Sequence, residues 1–212
     1  MANTIDILGD ETAADNIIDR SITSFIDDSI TSIGQYAFYG CTSLTSVDFT
    51  SVTGIGQYAF QNCTNLTSAD FSSATSIGSY AFRGCNKLTS VDFPSVTIIS
   101  GNAFYGCTSL TSVVFPSVTS IGTSTFVGCT GLTSVDFPSV TSISQYAFQN
   151  CTSLTTLILR SSTIASLSKT NAFSSCPAII YVPDNLVDSY KSASNWSTYA
   201  SRIKGLSELP EE

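Results

Sequence analysis

The chain has 212 residues, of which 42% are hydrophobic and only 11% are charged, and its formal net charge is −8. A negative charge of this size opposes binding to nucleic acid and to anionic membranes, so neither is expected as a partner. The chain contains no histidine, which removes Ser-His-Asp and Cys-His nucleophiles and the commonest metal ligand. We therefore predict a protein that is not an enzyme and has no cofactor.

The N-terminal residues 1–21 differ from the rest of the chain and are predicted to form an N-terminal cap. They begin MANTIDILGDE, with an apolar alternation at residues 5–8 and a short helical pattern at residues 12–19. This start has no basic n-region and no apolar h-region, so we predict no secretory signal. No run approaches the roughly 18 apolar residues of a membrane helix, so no membrane insertion is predicted. We expect synthesis in the cytoplasm, with the cell surface or a virion reached only by a route that needs no signal.

Residues 22–178 repeat with a fixed period. Seven cysteines stand 22 residues apart, except that the last interval is 25: Cys41, Cys63, Cys85, Cys107, Cys129, Cys151 and Cys176. A phenylalanine precedes each cysteine by three residues, and leucine or isoleucine follows it by three. A fixed period of this length is typical of a solenoid, in which each unit is one coil and neighbouring coils bury each other's apolar faces. The sequence therefore predicts seven coils, the last of 25 residues.

Within one unit the apolar spacing changes along the chain. Residues 132–153 read LTSVDFPSVTSISQYAFQNCTS, and the β-branched alternation at residues 134–137 predicts a short strand. Stacked coils would place these strands in one long parallel sheet on the concave face of a right-handed α/β solenoid. Val140 and Ile143 are predicted to point inward from a turn, and residues 144–150 to form one or two helical turns on the convex face. Glycine or asparagine before each cysteine suits the left-handed conformation that ends a helix.

The end of the chain departs from the period. Residues 179–206 are predicted to form a C-terminal cap with short helices, because Pro183 and Asp184 make a good helix start. Trp196, Tyr199 and Ile203 supply bulky cover for the last coil. Residues 207–212 are predicted to be a flexible tail.

The repeat LxxVxFPxVxxIxxxAFxxCxx, over residues 22–182, resembles the leucine-rich repeat of BspA-like proteins. The ending YVPDNLVDSYKSASNWSTYASRI is similar to the C-terminal cap of that family. The resemblance implies a leucine-rich-repeat coil and a bacterial surface protein that binds host or neighbouring-cell components through its repeats. The start MANTIDILGDE…IIDRSIT resembles signal-less versions encoded in phages and prophages of gut bacteria. It therefore implies an alternative, a virion-associated structural or host-recognition protein.

The cysteine column has three interpretations. A disulfide framework is excluded because the count is odd and all seven side chains face the same way. A zinc site needs pairs at C-x₂₋₄-C spacing, and no such pair exists. A buried column of free thiols fits, since free cysteine is among the most buried residue types. We therefore predict no disulfide and no metal site.

Two columns of side chains are candidate binding surfaces. In the strands, aspartates alternate with inward residues and so point outward, flanked by serines: Asp48, Asp70, Asp92 and Asp136, with Ser46, Ser68, Ser90 and Ser134. This concave stripe is interpreted either as a recognition or cation-binding surface, or as a solvating surface that prevents sheet aggregation. A second, weaker candidate lies on the convex side: Tyr36, Tyr58, Tyr80 and Tyr146. These tyrosines are either contact residues or a structural stack.

The leading hypothesis is therefore a non-enzymatic binding or adhesion module. It would present the repeat surface to a protein or glycan, and the sequence leaves the ligand and the oligomeric state open.

Overall fold

The structure, a computed structural model, describes residues 3–5 and 20–210. The predicted helical pattern at residues 12–19 and most of the N-terminal cap lie outside the described residues. Each coil contributes a first strand, a second strand and a segment of turns, and the coils stack into a parallel β-solenoid. The predicted solenoid with a parallel sheet is confirmed.

The first strands of the seven coils lie where the sequence predicts them, and two further strands lie in the segment predicted as a C-terminal cap with short helices. They are Ser24–Ile26, Ser46–Asp48, Ser68–Asp70, Ser90–Asp92, Ser112–Val114, Ser134–Phe137, Thr156–Leu159, Ile179–Val182 and Ile203–Gly205. They do not form one long sheet, because their parallel ladders divide into sheets of three, two and four strands. These strands are so short that one weak bond ends a ladder. At the first break the Thr89 N lies 3.5 Å from the Thr67 O, whereas one coil earlier the Thr67 N lies 2.9 Å from the Thr45 O.

A second column of strands forms the continuous sheet of the solenoid. Its eight strands are Asn3–Ile5, Ile30–Ile33, Gly54–Ile55, Ser76–Ile77, Ile98–Ile99, Ser120–Ile121, Ser142–Ile143 and Ser166–Leu167. The predicted turn at Val140 and Ile143 is therefore corrected, since Ile143 lies in a strand although it does point inward. Most of these strands have two residues, which is too short for an alternating pattern to appear in the sequence.

The segment before each cysteine consists of turns, and the helical turns predicted there do not form. Alternate N–H groups bond to the next coil: Phe38 N donates to Ala59 O at 2.7 Å and Gly40 N to Gln61 O at 2.8 Å. The groups between them close turns, as where Tyr39 N donates to Tyr36 O at 3.0 Å. A helix would direct all these N–H groups along its own axis. Hydrogen bonds to the neighbouring coil therefore take the place of a helix in this segment.

Two left-handed residues in each of the first six coils make this alternation possible. The glycine or asparagine before the first six cysteines has φ between 59° and 73°, which confirms the left-handed position predicted there. The second position was not predicted, because it carries tyrosine in four coils, at Tyr36, Tyr58, Tyr80 and Tyr146. A bulky residue is rarely left-handed, so a tyrosine at this position does not predict a left-handed backbone.

The core consists of two stacked columns of phenylalanine. In the column before the cysteines, Phe38 and Phe60 have ring centroids 4.9 Å apart and planes 7° apart. The second column follows the first strands and contacts the first column edge-on, as where Phe60 and Phe71 lie 5.5 Å apart at 61°. Aromatic pairs of this kind add to the stabilisation from area burial. The interior is therefore one continuous aromatic stack along the solenoid.

The seven cysteines line the same interior as buried free thiols, which confirms the predicted buried column. Five of them donate their S–H to the phenylalanine carbonyl of the preceding coil, as Cys63 does to Phe38 O at 3.0 Å and Cys107 to Phe82 O at 3.1 Å. Burial raises the pKa of the Cys107 thiol to about 12, and those of its neighbours Cys85 and Cys129 also lie well above their ordinary value. The thiols are therefore part of the packing between coils.

The last coil is covered by residues 179–209. The segment contains the 3₁₀ helices Asp184–Leu186, Trp196–Arg202 and Leu206–Glu208 and the α-helix Val187–Ser192. The Trp196 indole N–H donates to Ala165 O at 2.6 Å, and the Tyr190 hydroxyl accepts from Ala165 N–H at 2.8 Å. The segment predicted as a tail begins inside the last 3₁₀ helix, where Gly205 N–H donates to Glu208 Oε1.

Phe104→Ala should reduce the free energy of unfolding by about 3–5 kcal/mol, through lost burial and the cavity that remains. Phe104 contacts the rings of Phe82, Phe93, Phe115 and Phe126. Phe38→Ala is the matched variant nearer the end of the array, with three ring contacts, to Phe25, Phe49 and Phe60. Urea denaturation should show the smaller loss for Phe38→Ala, and equal losses would contradict this expectation.

Alkaline pH should destabilise the fold because six thiols have raised pKa values. Their stabilising contribution is complete below the ordinary thiol pKa of 9.0 and is lost as the pH rises toward the folded value of about 12 for Cys107. Tyr190 and Tyr199, whose pKa values burial also raises, act in the same direction. The urea midpoint should fall between pH 9 and 11, and Cys107→Ala should show a smaller fall. A midpoint that stays constant over this range would contradict the expectation.

Candidate functional site

The outward side of the first strands forms a groove across the first five coils. Its volume is about 570 Å³, and its lining residues are Ile26, Ser46, Val47, Asp48, Ser68, Ala69, Asp70, Ser72, Ser90, Val91, Asp92, Ser112 and Val114. Parallel pairing sets Asp48 beside Asp70 and Ser46 beside Ser68. Strand neighbours lie about 4.8 Å apart, so the serines and the aspartates form two parallel rows along the solenoid. The groove thus has three carboxylates and no basic side chain in its lining.

The structure brings together six of the eight predicted stripe residues. Asp48, Asp70, Asp92 and their serines Ser46, Ser68 and Ser90 line this one groove. Ser134 and Asp136 do not. The Arg160 Nε donates to both Asp136 oxygens, at 2.8 and 3.1 Å, and so neutralises that carboxylate.

The serine and aspartate rows contribute little to holding the coils together. The hydroxyls of Ser46, Ser68, Ser90 and Ser112, and the Asp92 carboxylate, make no hydrogen bond to any residue that the structure describes. Asp48 Oδ1 is buried and has no partner among the described residues. Asp70 is the exception, since its Oδ1 accepts the Ser72 N–H at 3.0 Å.

The neighbouring threonines behave differently. Their hydroxyls donate to the carbonyl of the preceding coil, as Thr45 does to Thr23 O at 2.8 Å and Thr67 to Thr45 O at 2.9 Å. The threonine column therefore stabilises coil stacking, whereas most of the polar groups in the groove remain available to a ligand.

Sequence reasoning missed the apolar ends of the groove. Ile26 pairs with Asp48 and Val114 with Asp92, so both occupy the aspartate row. They are 71% and 46% exposed, which is unusual for large aliphatic side chains in a fold with so full a core. The repeat register places them in this row, but in the sequence they stand out only as interruptions of it.

Carboxylates in this row do not converge on one point. Across residues 20–210, no group of three histidine, cysteine, aspartate or glutamate side chains is arranged to hold a metal ion. The row places one carboxylate per coil, which suits an elongated ligand better than a single cation.

On the turn segments, the predicted tyrosines form a stack that is interrupted. Tyr36 and Tyr58 have centroids 4.8 Å apart and planes 7° apart, and Tyr58 and Tyr80 follow at 4.9 Å and 18°. Their ring faces therefore cover one another and leave the edges outward. Tyr146 does not join them, because Asn102 and Ser124 occupy this column in the two coils between.

The array of coils with parallel strands, buried leucines and aromatic columns defines the molecule as a leucine-rich-repeat solenoid. A family model described as a BspA type leucine rich repeat region matches residues 18–126 and 97–198. The chain belongs to this family, which confirms the resemblance seen in the repeat, and the family points to an interaction or surface module. A search of curated proteins finds no significant match.

Solved structures similar to this chain come from several bacteria. A leucine-rich repeat protein of T. pallidum is 23% identical, with a TM-score of 0.50, over 87% of this chain and 86% of that one. A leucine-rich repeat protein of Bacteroides ovatus is 21% identical, with a TM-score of 0.46, over 72% of this chain and 59% of that one. A leucine rich cell surface protein of Faecalibacterium prausnitzii is 19% identical, with a TM-score of 0.39, over 87% and 83%. At 23% identity, the T. pallidum structure shows the fold alone.

No helix within the described residues has the length and apolar character needed to cross a membrane.

The stacked tyrosines should contribute to stability, whereas the isolated one should not. Tyr58→Asn removes two stacking contacts, each worth about 0.5–1.5 kcal/mol, but keeps a residue that tolerates the left-handed backbone, as Asn102 does in the same column. Tyr146→Asn is the matched control, since Tyr146 has no ring contact in the described part of the chain. Thermal unfolding should show a lower melting temperature for Tyr58→Asn and an unchanged or higher one for Tyr146→Asn. Equal effects would contradict a structural role for the stack.

Proposed function

We propose that this chain is a non-enzymatic binding module that recognises a protein or glycan through the groove over its first five coils. The observation that carries the proposal is the contrast between two polar columns of the same strands. Threonine hydroxyls bond the coils to one another, whereas the serine row and the Asp48 and Asp92 carboxylates make no such bond among the described residues.

The chemistry of the groove favours a ligand that carries amino or guanidinium groups. Carboxylates accept strong, charge-assisted hydrogen bonds from such groups, and serine hydroxyls add further acceptors or donors. The exposed Ile26 and Val114 offer apolar contacts at the two ends of the row. A lysine- or arginine-containing peptide, or a glycan with free amino groups, meets these requirements.

The groove lacks the parts of an active site. It contains no histidine, cysteine or lysine, and its carboxylates lie in one row with no nucleophile activated by a base. Binding without chemistry therefore accounts for its composition better than catalysis.

The second candidate, a virion-associated structural or host-recognition protein, rests on the resemblance of the N-terminal start. That segment lies mostly outside the described residues, and no feature of the groove favours a virion over a cell surface. Mass spectrometry of purified virions is the measurement that tests it.

Replacing the three groove aspartates with asparagine should weaken binding without weakening the fold. Loss of three charge contacts, each worth roughly 0.5–1 kcal/mol, predicts an affinity decrease of roughly 10- to 100-fold. Probes for the measurement are peptides selected from a random display library on the wild-type chain, together with amino-sugar glycans on an array. The melting temperature should stay level or rise, because repulsion between stacked like charges is relieved.

Asp136→Asn is the matched control, since Asp136 lies outside the groove and is already paired with Arg160. It should leave the affinity for the same probes unchanged. If the triple variant bound every probe as well as the wild type, or if Asp136→Asn reduced binding equally, the groove would not be the recognition surface.

A further inference from the structure

A second row of side chains runs along the turn segments beside the tyrosine stack. Tyr39, Gln61, Arg83 and Tyr105 follow one another at 22-residue spacing. Backbone bonds fix this register, since Gly40 N donates to Gln61 O, Asn62 N to Arg83 O and Gly84 N to Tyr105 O, each at 2.8 Å. Along each coil the second strand lies between this row and the first strand, which lines the groove, so the row belongs to a different surface of the solenoid.

Arg83 is held in this row by aromatic rings. Its guanidinium carbon lies 5.7 Å from the Tyr80 ring centroid and 5.2 Å from that of Tyr105. Across residues 3–5 and 20–210, no carboxylate lies within ion-pair distance of Arg83, and its guanidinium donates no hydrogen bond. The cation–π contacts position the guanidinium, while its fork of N–H donors remains without an acceptor.

Gln61 supplies an independent observation at the adjacent position. The residue is only 7% exposed, and its Oε1 is buried with no hydrogen-bond partner among the described residues. Buried polar atoms are nearly always paired in native proteins, because an unpaired one loses its bonds to water without replacement. Gln61, whose Oε1 has no donor, therefore lies one coil away from Arg83, whose guanidinium N–H groups have no acceptor.

We infer that Arg83, Gln61 and Tyr105 form a docking site for a protein segment that presents an aspartate or glutamate side chain. The carboxylate of that segment is the bidentate acceptor that the Arg83 guanidinium lacks. Gln61 Oε1 is buried in the free chain, so a backbone N–H of the same segment would supply its missing donor once the Gln61 side chain rotates outward. A peptide carries both groups close together, whereas a free anion carries only the first.

The surrounding aromatic side chains favour a protein over a sugar as the occupant. The faces of Tyr36, Tyr58 and Tyr80 are covered by one another, and Arg83 lies over Tyr105, so the stack offers few open ring faces. Tyrosine and arginine are also the residues most enriched in the energetically important centres of protein interfaces. The site is independent of the groove, whose acidic lining would repel the same segment.

The experiment is a selection of random peptides on the immobilised full chain, followed by affinity measurement on variants. We expect a class of peptides enriched in aspartate and glutamate whose Kd rises at least tenfold on Arg83→Gln. Arg83→Lys, which keeps the charge but not the fork, should recover only part of that loss. Gln61→Met, which removes the amide oxygen and keeps most of the apolar volume, should weaken the same peptides.

Lys87→Gln is the control for net charge, because Lys87 is an exposed cation in the same coil but outside the row. It should leave the affinity unchanged, and circular dichroism melts should show each variant folded. The inference is overturned if no acidic peptides are selected, if Arg83→Gln binds them as well as the wild type does, or if Lys87→Gln weakens them as much. The groove is tested by different peptides, namely basic ones that stop binding when Asp48, Asp70 and Asp92 are substituted. Either proposal can therefore be contradicted while the other holds.

Discussion

The lateral hydrogen bond between corresponding segments of neighbouring coils is the interaction on which the rest of the molecule depends. It is made in the second strands and again in the turn segments, where Phe38 N–H donates to Ala59 O and Phe60 N–H to Ala81 O. Because these bonds repeat every 22 residues, each side chain is placed above the same column in the next coil. Phenylalanine therefore stacks on phenylalanine, and each thiol of the inner coils meets a phenylalanine carbonyl.

The same translation that builds the core also builds the surface, where its consequences are mixed. The repetition lets tyrosines stabilise the array because their ring faces stack. It lets threonines do the same because their hydroxyls donate to carbonyls of the preceding coil. Aspartates do not stabilise the array in this way, since like charges are placed side by side along it. Residues that depart from their column, such as Val114 in the aspartate row or Arg83 and Gln61 beside the tyrosines, are not required by stacking. These departures are therefore the most informative residues about binding.

The inward columns and the first strands could be predicted because one physical requirement, burial between coils, repeats at a constant spacing. The second strands could not, since two residues such as Ser142 and Ile143 show no alternation. The turn segments were predicted as helical because Ala147 and Phe148 suit a helix locally, and lateral bonding overrides that preference. The Asp136–Arg160 ion pair escaped prediction because an insertion in the last repeat places its partners 24 residues apart, out of phase with the column. The period of the sequence predicts the row of aspartates and serines in the groove, but it does not predict the apolar ends of the groove or how many coils it covers.

Rigidity of the array gives the groove a property that a flexible acidic segment would lack. Asp48 and Asp70 belong to backbones bonded in register, so their spacing cannot increase to relieve the repulsion between them. A cationic ligand would remove that repulsion on binding, and the groove would not have to order itself first. Preorganisation of this kind increases affinity by reducing the entropy lost on association. Repulsion between the aspartates thus destabilises the free state and favours the bound state. The inward columns stabilise the fold independently, so the outward rows can change without loss of the fold.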